Sequence, residues 1–282
     1  MQLQEKRAMQ ALAVKIRLGA LEAIHSIGVG HLGGALSVCD ALAVLYGREM
    51  RIDPANPGWP ERDKLVCSKG HAGPAVYAAL ALKGYFPYEE LKTLNHPDTR
   101  LPSHCDRRLT PGVDMTTGSL GQGTSLACGM ALGDRLRGRD NRIFLIVGDG
   151  ETNEGQVWEA FTFAAAHRLG NLVVLLDRNG RQLDGYTEDI YPIGDLHPKM
   201  EAFGFRTVTI DGGDVQEISN ALEQTRAGGD QPWAIVMNTV KGAGISQVEQ
   251  TGANHSMAVG DEAFARWSEQ LRQQLRELEE TP

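Results

Sequence analysis

Two runs constrain this chain most: Arg142–Val147 (RIFLIV) and Leu172–Leu176 (LVVLL), apolar almost throughout, each closed by a polar glycine turn. A strand with one wet face alternates apolar and polar residues. A strand that is apolar on both sides has to be covered on both faces, as in a parallel sheet wrapped by helices. The first run is followed by GDG and a helical segment, and the second by DRNG. Lys64–Ser68 (KLVCS), Phe205–Ile210 and Ala234–Val240 complete the set of expected strands. Strands alternating with helices favour right-handed crossovers, so the expected fold is α/β, a doubly wound and mainly parallel sheet flanked by helices.

The remaining segments fit around that sheet. Ala11, Val14, Leu18 and Leu21 lie at 3-4-3 spacing and predict an opening helix that stops at Gly28. Val38, Leu42 and Leu45 predict a second helix over Ser37 to Tyr46, and Asp53 to Pro60 reads as turns. Phe264, Trp267, Leu271, Leu275 and Leu278 predict an amphipathic C-terminal helix. No repeat or linker interrupts the pattern, so residues 1–282 are read as one domain.

Several function classes are excluded at this level. The net charge is −8 with acids and bases mixed, leaving no basic patch for nucleic acid. The first residues hold no unbroken apolar run, which argues against a signal peptide or a membrane span. Cys39, Cys67, Cys105 and Cys128 lack CxxC spacing and are expected to be reduced thiols of a cytoplasmic protein.

The segment IFLIVGDGETNEGQVWEAFTFAAAHRLGNLVVLLDRNG concentrates the chemistry. Asp149 falls where one strand ends, and Asn179 falls just after the next. In an open parallel sheet the C-terminal ends of neighbouring strands face one crevice, so a carboxylate and an amide oxygen arrive together. Two oxygens suit Mg²⁺, which keeps waters and takes its remaining ligands from a phosphate; Ca²⁺ or Mn²⁺ could substitute. Gly148 and Gly150 let the backbone approach a diphosphate, and the following helix would offer N–H donors. A second glycine loop, Thr117 to Gly123 before a helix starting near Gln122, would add further donors. Taken singly, a GDG turn or a glycine loop is commonly structural. The whole unit is not.

Together these segments resemble the N-terminal, diphosphate-binding domain of the transketolase family, from about residue 10 to 258. The shared motifs are GDG with Asn179, VGHLGG (His31), SKGHA (His71), TGSLGQG (Gly118 to Gly123) and KGAG…NHS (Lys241 to His255). The resemblance implies thiamine diphosphate as cofactor and Mg²⁺ bound by Asp149, Asn179 and the backbone carbonyl of Arg181. It implies cofactor contacts from His71, Gly118, Ser119, Leu120, Gly150 and His255. His31, His104 and His255 would line the reacting centre, and Glu154 would lie between the two active sites of a dimer. Histidine suits that role because it donates or accepts near neutral pH. Leu32, Ser119, Ala243 and Asn254 depart from the family's usual residues, and LPSHCD differs from the usual surroundings of His104. These departures border the substrate and leave the sugar open.

In the family, the glutamate that activates the cofactor and the pocket for its aminopyrimidine ring come from a second domain, and a third domain follows. Neither is seen here. The chain would be a fragment or, as its polar end after an amphipathic helix favours, the large-half subunit of a split transketolase. A C-terminal partner subunit with the pyrimidine-binding domain, an α2β2 assembly and sugar-phosphate substrates are then expected. A thiamine-dependent 2-oxo acid dehydrogenase subunit would share GDG and Asn179 but lack TGSLGQG and the histidines. A non-catalytic phosphate-binding module would not need intact metal ligands.

Overall fold

In the computed structural model, which describes residues 1–280, helix α1 spans Leu3–Ile27 and stops at Gly28 (φ 82°). Strand β1 (Val29–Gly30), helix α2 (Leu32–Leu36), helix α3 (Cys39–Val44) and a π-type turn over Leu45–Glu49 follow. The helix expected over Ser37 to Tyr46 forms as α3 running into the π-type turn, two residues late and separated from α2 by a break at Ser37–Val38. Every residue from Leu32 to Tyr46 is buried, so packing on all sides sets the path rather than one amphipathic stripe. Ser37 sits at the break and donates its hydroxyl to the Asp177 carboxylate at 2.8 Å.

Strand β2 (Lys64–Cys67) leads through a 3₁₀ turn at Gly70–Ala72 into α4 (Gly73–Leu82). Helix α5 (Gln122–Leu136) then precedes β3 (Ile143–Gly148), and a 3₁₀ turn (Gly150–Asn153) separates β3 from α6 (Gly155–Ala166). The sequence predicts a helix directly after GDG; the structure puts this tighter turn there first. Strand β4 (Leu172–Arg178), α7 (Thr187–Ile190), α8 (Leu196–Ala202), β5 (Arg206–Asp211), α9 (Val215–Thr225) and β6 (Trp233–Asn238) follow. The chain ends with α10 (Ser246–Gln250), β7 (Met257–Ala258) and α11 (Asp261–Glu280).

Five strands form one parallel sheet in the order β2-β3-β4-β6-β5, while β1 and β7 pair antiparallel as a small second sheet. Successive residues of the central strands point to opposite faces. Phe144, Ile146, Val173 and Leu175 join a core with α1, α3, α4, α9 and α11. Leu145, Val147, Val174 and Leu176 join another with α5, α6 and α8. This two-sided burial is what the unbroken apolar runs of β3 and β4 encode. Strand β5 departs from it: none of its residues is fully buried, because it is an edge strand in which Thr207 and Thr209 alternate with Val208 and Ile210.

The C-terminal helix packs Trp267 and Leu271 into the core shared with α1, with Phe264, Leu275 and Leu278 half-covered beside them. Shortening the fully buried Leu271 to alanine should cost roughly 2–5 kcal/mol. All four cysteines are buried free thiols. Among the described residues, no helix is long and apolar enough to cross a membrane.

Candidate active site

The parallel register pairs Gly148 of β3 with Asp177 of β4, which brings the loops after both strands to one edge. Asp149 is 2% exposed there. Its carboxylate accepts from the Gly150 N–H at 2.8 Å and from the Gly180 N–H, on the neighbouring loop, at 2.6 Å. Burial, then the charge of Asp177, push the Asp149 carboxyl up to about 6, against the pull of the two backbone N–H groups. A buried carboxylate that ionises reluctantly gains from any cation placed against it.

Asn179 stands on the neighbouring loop, next to Gly180. Its Nδ2 donates to Asp177 Oδ2 at 2.9 Å, and its Oδ1 accepts from the Arg181 N–H at 3.1 Å. The backbone carbonyl of Arg181 faces the Lys241 ammonium at 3.4 Å. Asp149, Asn179 and Arg181 all line one cleft of ≈ 320 Å³. One carboxylate, one amide oxygen and one carbonyl form a hard-oxygen set, with the bare backbone of Gly148 and Gly150 beside it. That chemistry fits a divalent cation carrying a diphosphate. Among the described residues, no group of three His, Cys, Asp or Glu side chains is arranged to hold a metal.

The same cleft is lined by His31, His71, His104 and His255. They come from four separate segments, yet the His31 ring centroid lies 5.6 Å from His71, 5.5 Å from His104 and 5.3 Å from His255. Close backbone approaches gather them. The Gly33 N–H donates to the Asn254 carbonyl at 3.0 Å, and a Cβ at Gly33 would come within 2.3 Å of that oxygen. A Cβ at Gly70 would meet the Gly118 nitrogen at 2.6 Å, so SKGHA can lie on the TGSLGQG loop only with glycine there.

All four imidazoles are held below the ordinary histidine range. Burial is the largest cause in each case, reinforced for His31 by His104 and Lys241 and for His71 by Lys69. His255 falls to about 4, through burial and then Lys241, whose ammonium lies 3.1 Å from its Nδ1. At neutral pH the cluster is therefore uncharged, each ring offering one N–H donor and one acceptor. That suits a polyhydroxylated ligand, whose hydroxyls need both donors and acceptors.

Two residues singled out by the sequence stand apart. Glu154 stands just before α6, makes no capping hydrogen bond with its side chain, is exposed, and does not line the cleft; it lies against Gly121 instead. Ser119 is also outside the lining, whereas Gly118, Leu120 and Gly150 are in it. A larger groove of ≈ 840 Å³ runs along α5 between Arg62, Arg107 and Arg137 but contains no histidine.

Four buried charged groups escape sequence reasoning. Lys69, 1% exposed, donates to Asp177 Oδ2 at 2.5 Å. Asp177 is fully buried, and although burial alone would raise it, Lys69 holds it below the usual carboxylate range with help from Thr239 and Asn179. Glu151 accepts from Ser68 at 2.5 Å, Gly121 N–H at 2.9 Å and Gly148 N–H at 3.1 Å, tying the glycine loop to the end of β3. Lys241 is lowered to about 8, by burial and then by Lys69. Lys69 and Lys241 stand inside the SKGHA and KGAG motifs. A lysine next to glycine, in segments rich in small residues, is the available signal.

Comparison with known proteins agrees with this geometry. The family described as "Transketolase, thiamine diphosphate binding domain" matches residues 8–277. The chain is 54% identical to the 6-deoxy-6-sulfo-D-fructose transketolase subunit SqwG of Clostridium sp. (strain MSTE9), over 91% of this chain and 93% of that protein. It is 39% identical to an apulose-4-phosphate transketolase subunit of Actinobacillus succinogenes, over 90% and 91%. Among solved structures, it superposes on transketolase from Campylobacter jejuni with a TM-score of 0.88 and 30% identity, covering 96% of this chain and 43% of that one. The chain thus spans less than half the length of that solved enzyme.

Proposed function

This chain belongs to the transketolase family, as a thiamine-diphosphate-dependent ketol-transfer subunit, and from that premise we propose how its residues divide the work. Asp149, Asn179 and the Arg181 carbonyl would hold Mg²⁺. Gly118, Ser119, Leu120, Gly150 and His71 would contact the cofactor, and His255 would sit between diphosphate and substrate. The observation that carries this reading is the meeting of Asp149 and Asn179 at the ends of β3 and β4 in one cleft with four neutral histidines.

Thiamine diphosphate, when bound, supplies the nucleophile and the electron sink for cleaving a carbon–carbon bond next to a carbonyl. What remains for this chain is to orient and to move protons. His31, His104 and His255 line one cleft and can hydrogen-bond the hydroxyls of a ketose donor. Being neutral, each can take a proton from one oxygen and return it to another. Glu154, outside the cleft, would act across an interface with a second copy. The activating glutamate and the pyrimidine pocket would come from a partner subunit carrying the pyrimidine-binding domain, in an α2β2 assembly in the cytoplasm.

The donor we place first is a ketose with an anionic tail, a sulfonate as in the name of the 54% identical relative, or otherwise a phosphate. The test is reconstitution with the protein encoded by the neighbouring reading frame. Two-carbon transfer from 6-deoxy-6-sulfofructose or fructose 6-phosphate to an aldose phosphate is expected, with no turnover of pyruvate. Turnover of pyruvate alone would replace this reading with a 2-oxo acid enzyme.

A further inference from the structure

A metal ligand supplied by an asparagine carries an ambiguity that a carboxylate lacks. Only one end of its amide can coordinate, and a rotation of the side chain exchanges oxygen for NH₂. We propose that Asp177 is a positioning residue that fixes the Asn179 amide with its oxygen toward the cleft; this rests on the metal role assigned to Asn179 above.

Both ends of the amide are bound by partners of opposite polarity. Asp177 Oδ2, acceptor-only, takes a hydrogen bond from Asn179 Nδ2 at 2.9 Å. The Arg181 N–H, donor-only, gives one to Asn179 Oδ1 at 3.1 Å. Reversing the amide would set oxygen against carboxylate and NH₂ against N–H. Asp177 is itself held from several sides: Oδ2 also accepts from Lys69 at 2.5 Å and Ser37 at 2.8 Å, and Oδ1 accepts from Thr239. Its backbone is anchored in β4 opposite Gly148, and its carbonyl accepts from the Asp149 N–H at 3.1 Å. One buried residue thereby ties the loop of one proposed ligand to the strand end of the other. Such outer partners typically set metal affinity within a factor of about 10–100.

The first test needs no variant. In the full chain, side-chain NMR should show the Asn179 Nδ2 protons exchanging slowly with water, before any metal is added. Exchange as fast as that of an exposed asparagine would overturn the proposal. The second test is binding of Mn²⁺ with thiamine diphosphate to the full chain, followed by electron paramagnetic resonance. Asp177→Asn should weaken it about 10–100-fold. The swap Asp177→Asn/Asn179→Asp should regain about tenfold or more, since a carboxylate at 179 presents oxygen in either orientation. Wild-type affinity in a folded Asp177→Asn chain, or a swap no tighter than the single variant, would overturn it. If Asp177→Asn does not fold, the exchange measurement decides alone. If the wild-type chain fails to bind Mn²⁺ with the cofactor while its Asn179 protons stay protected, the orientation stands and the metal reading of the site falls.

Discussion

The two walls of the cleft are built by different means. The wall proposed to hold the metal comes from one continuous strand–helix–strand unit, and its side chains are locked by short bonds: Asp149 to Gly150 and Gly180, and Asn179 to Asp177 and Arg181. The histidine wall is assembled from four distant segments, and its rings pack against one another with centroids 4.9–5.6 Å apart. One wall is anchored to the centre of a sheet; the other depends on loops meeting correctly. The first should therefore fail all at once when a single residue is removed, and the second should fail by degrees.

The largest expected effect is on the locked wall. Asp149→Ala should abolish metal-dependent cofactor binding, a loss of more than about 100-fold, because a metal with so few protein ligands cannot spare its carboxylate. The fold should survive, since the variant also relieves a buried carboxyl whose pKa is pushed up to about 6. Calorimetry with Mg²⁺ and thiamine diphosphate, alongside thermal melting, would show it. Unchanged affinity would remove Asp149 from the site.

His31→Ala tests the other wall. With a partner subunit present, kcat should fall about 10²–10⁴-fold, the usual worth of a positioned proton carrier. Cofactor affinity should stay within a few-fold, since His31 stands with the other rings rather than at the metal edge. Equal losses of both would merge the two walls into one.

Acid should drive the walls in opposite directions. Asp149 has a folded pKa above its unfolded value, so the folded state binds its proton more readily, and this group alone adds stability as pH falls through about 6 toward the unfolded value. The histidines have folded values below their unfolded ones. They contribute stability at neutral pH that is lost as pH falls through the ordinary histidine range, toward about 4 for His255. With four rings against the carboxyls of Asp149 and Glu151, both raised by burial, the chain without cofactor should melt lower near pH ~5 than near pH ~7. Metal-dependent cofactor affinity should fall up to about tenfold per unit below pH ~6, as protons compete with the cation for Asp149. A melting temperature that rises on acidification would mean the rings are not buried as a neutral cluster.

This contrast also sets what can be read in advance. Asp149 and Asn179 are legible because one continuous stretch carries the whole unit, strand, turn, helix and strand, and parallel neighbours place their ends together. The short helix α2 and the π-type turn over Leu45–Glu49 are not legible, since the spacing of Val38, Leu42 and Leu45 is compatible with one regular α-helical stripe. Nor is the position of β5 at the sheet edge, which depends on β6 returning between it and β4. Lys69 and Asp177 are 108 residues apart, and nothing local to either announces an ion pair. The histidine wall is reached by resemblance; no spacing rule joins positions 31, 71, 104 and 255.

The smallest expected effect separates a residue of the site from a residue of the assembly. Glu154 is exposed at the start of α6, outside the cleft, with its Cβ beside Gly121. If its role lies across an interface, Glu154→Gln should leave Mg²⁺-dependent cofactor affinity of the isolated chain within about twofold, because an exposed surface substitution changes little locally. Its effect should surface only after reconstitution, as reduced activity or weaker assembly measured by sedimentation. Glu151→Gln, on the same turn, offers the contrast: it disturbs a carboxylate bonded to both Gly121 and Gly148, so it should weaken cofactor binding in the isolated chain as well. Should the two variants behave alike in the isolated chain, the boundary drawn between cleft and interface at this turn is misplaced, and Glu154 belongs to the locked wall.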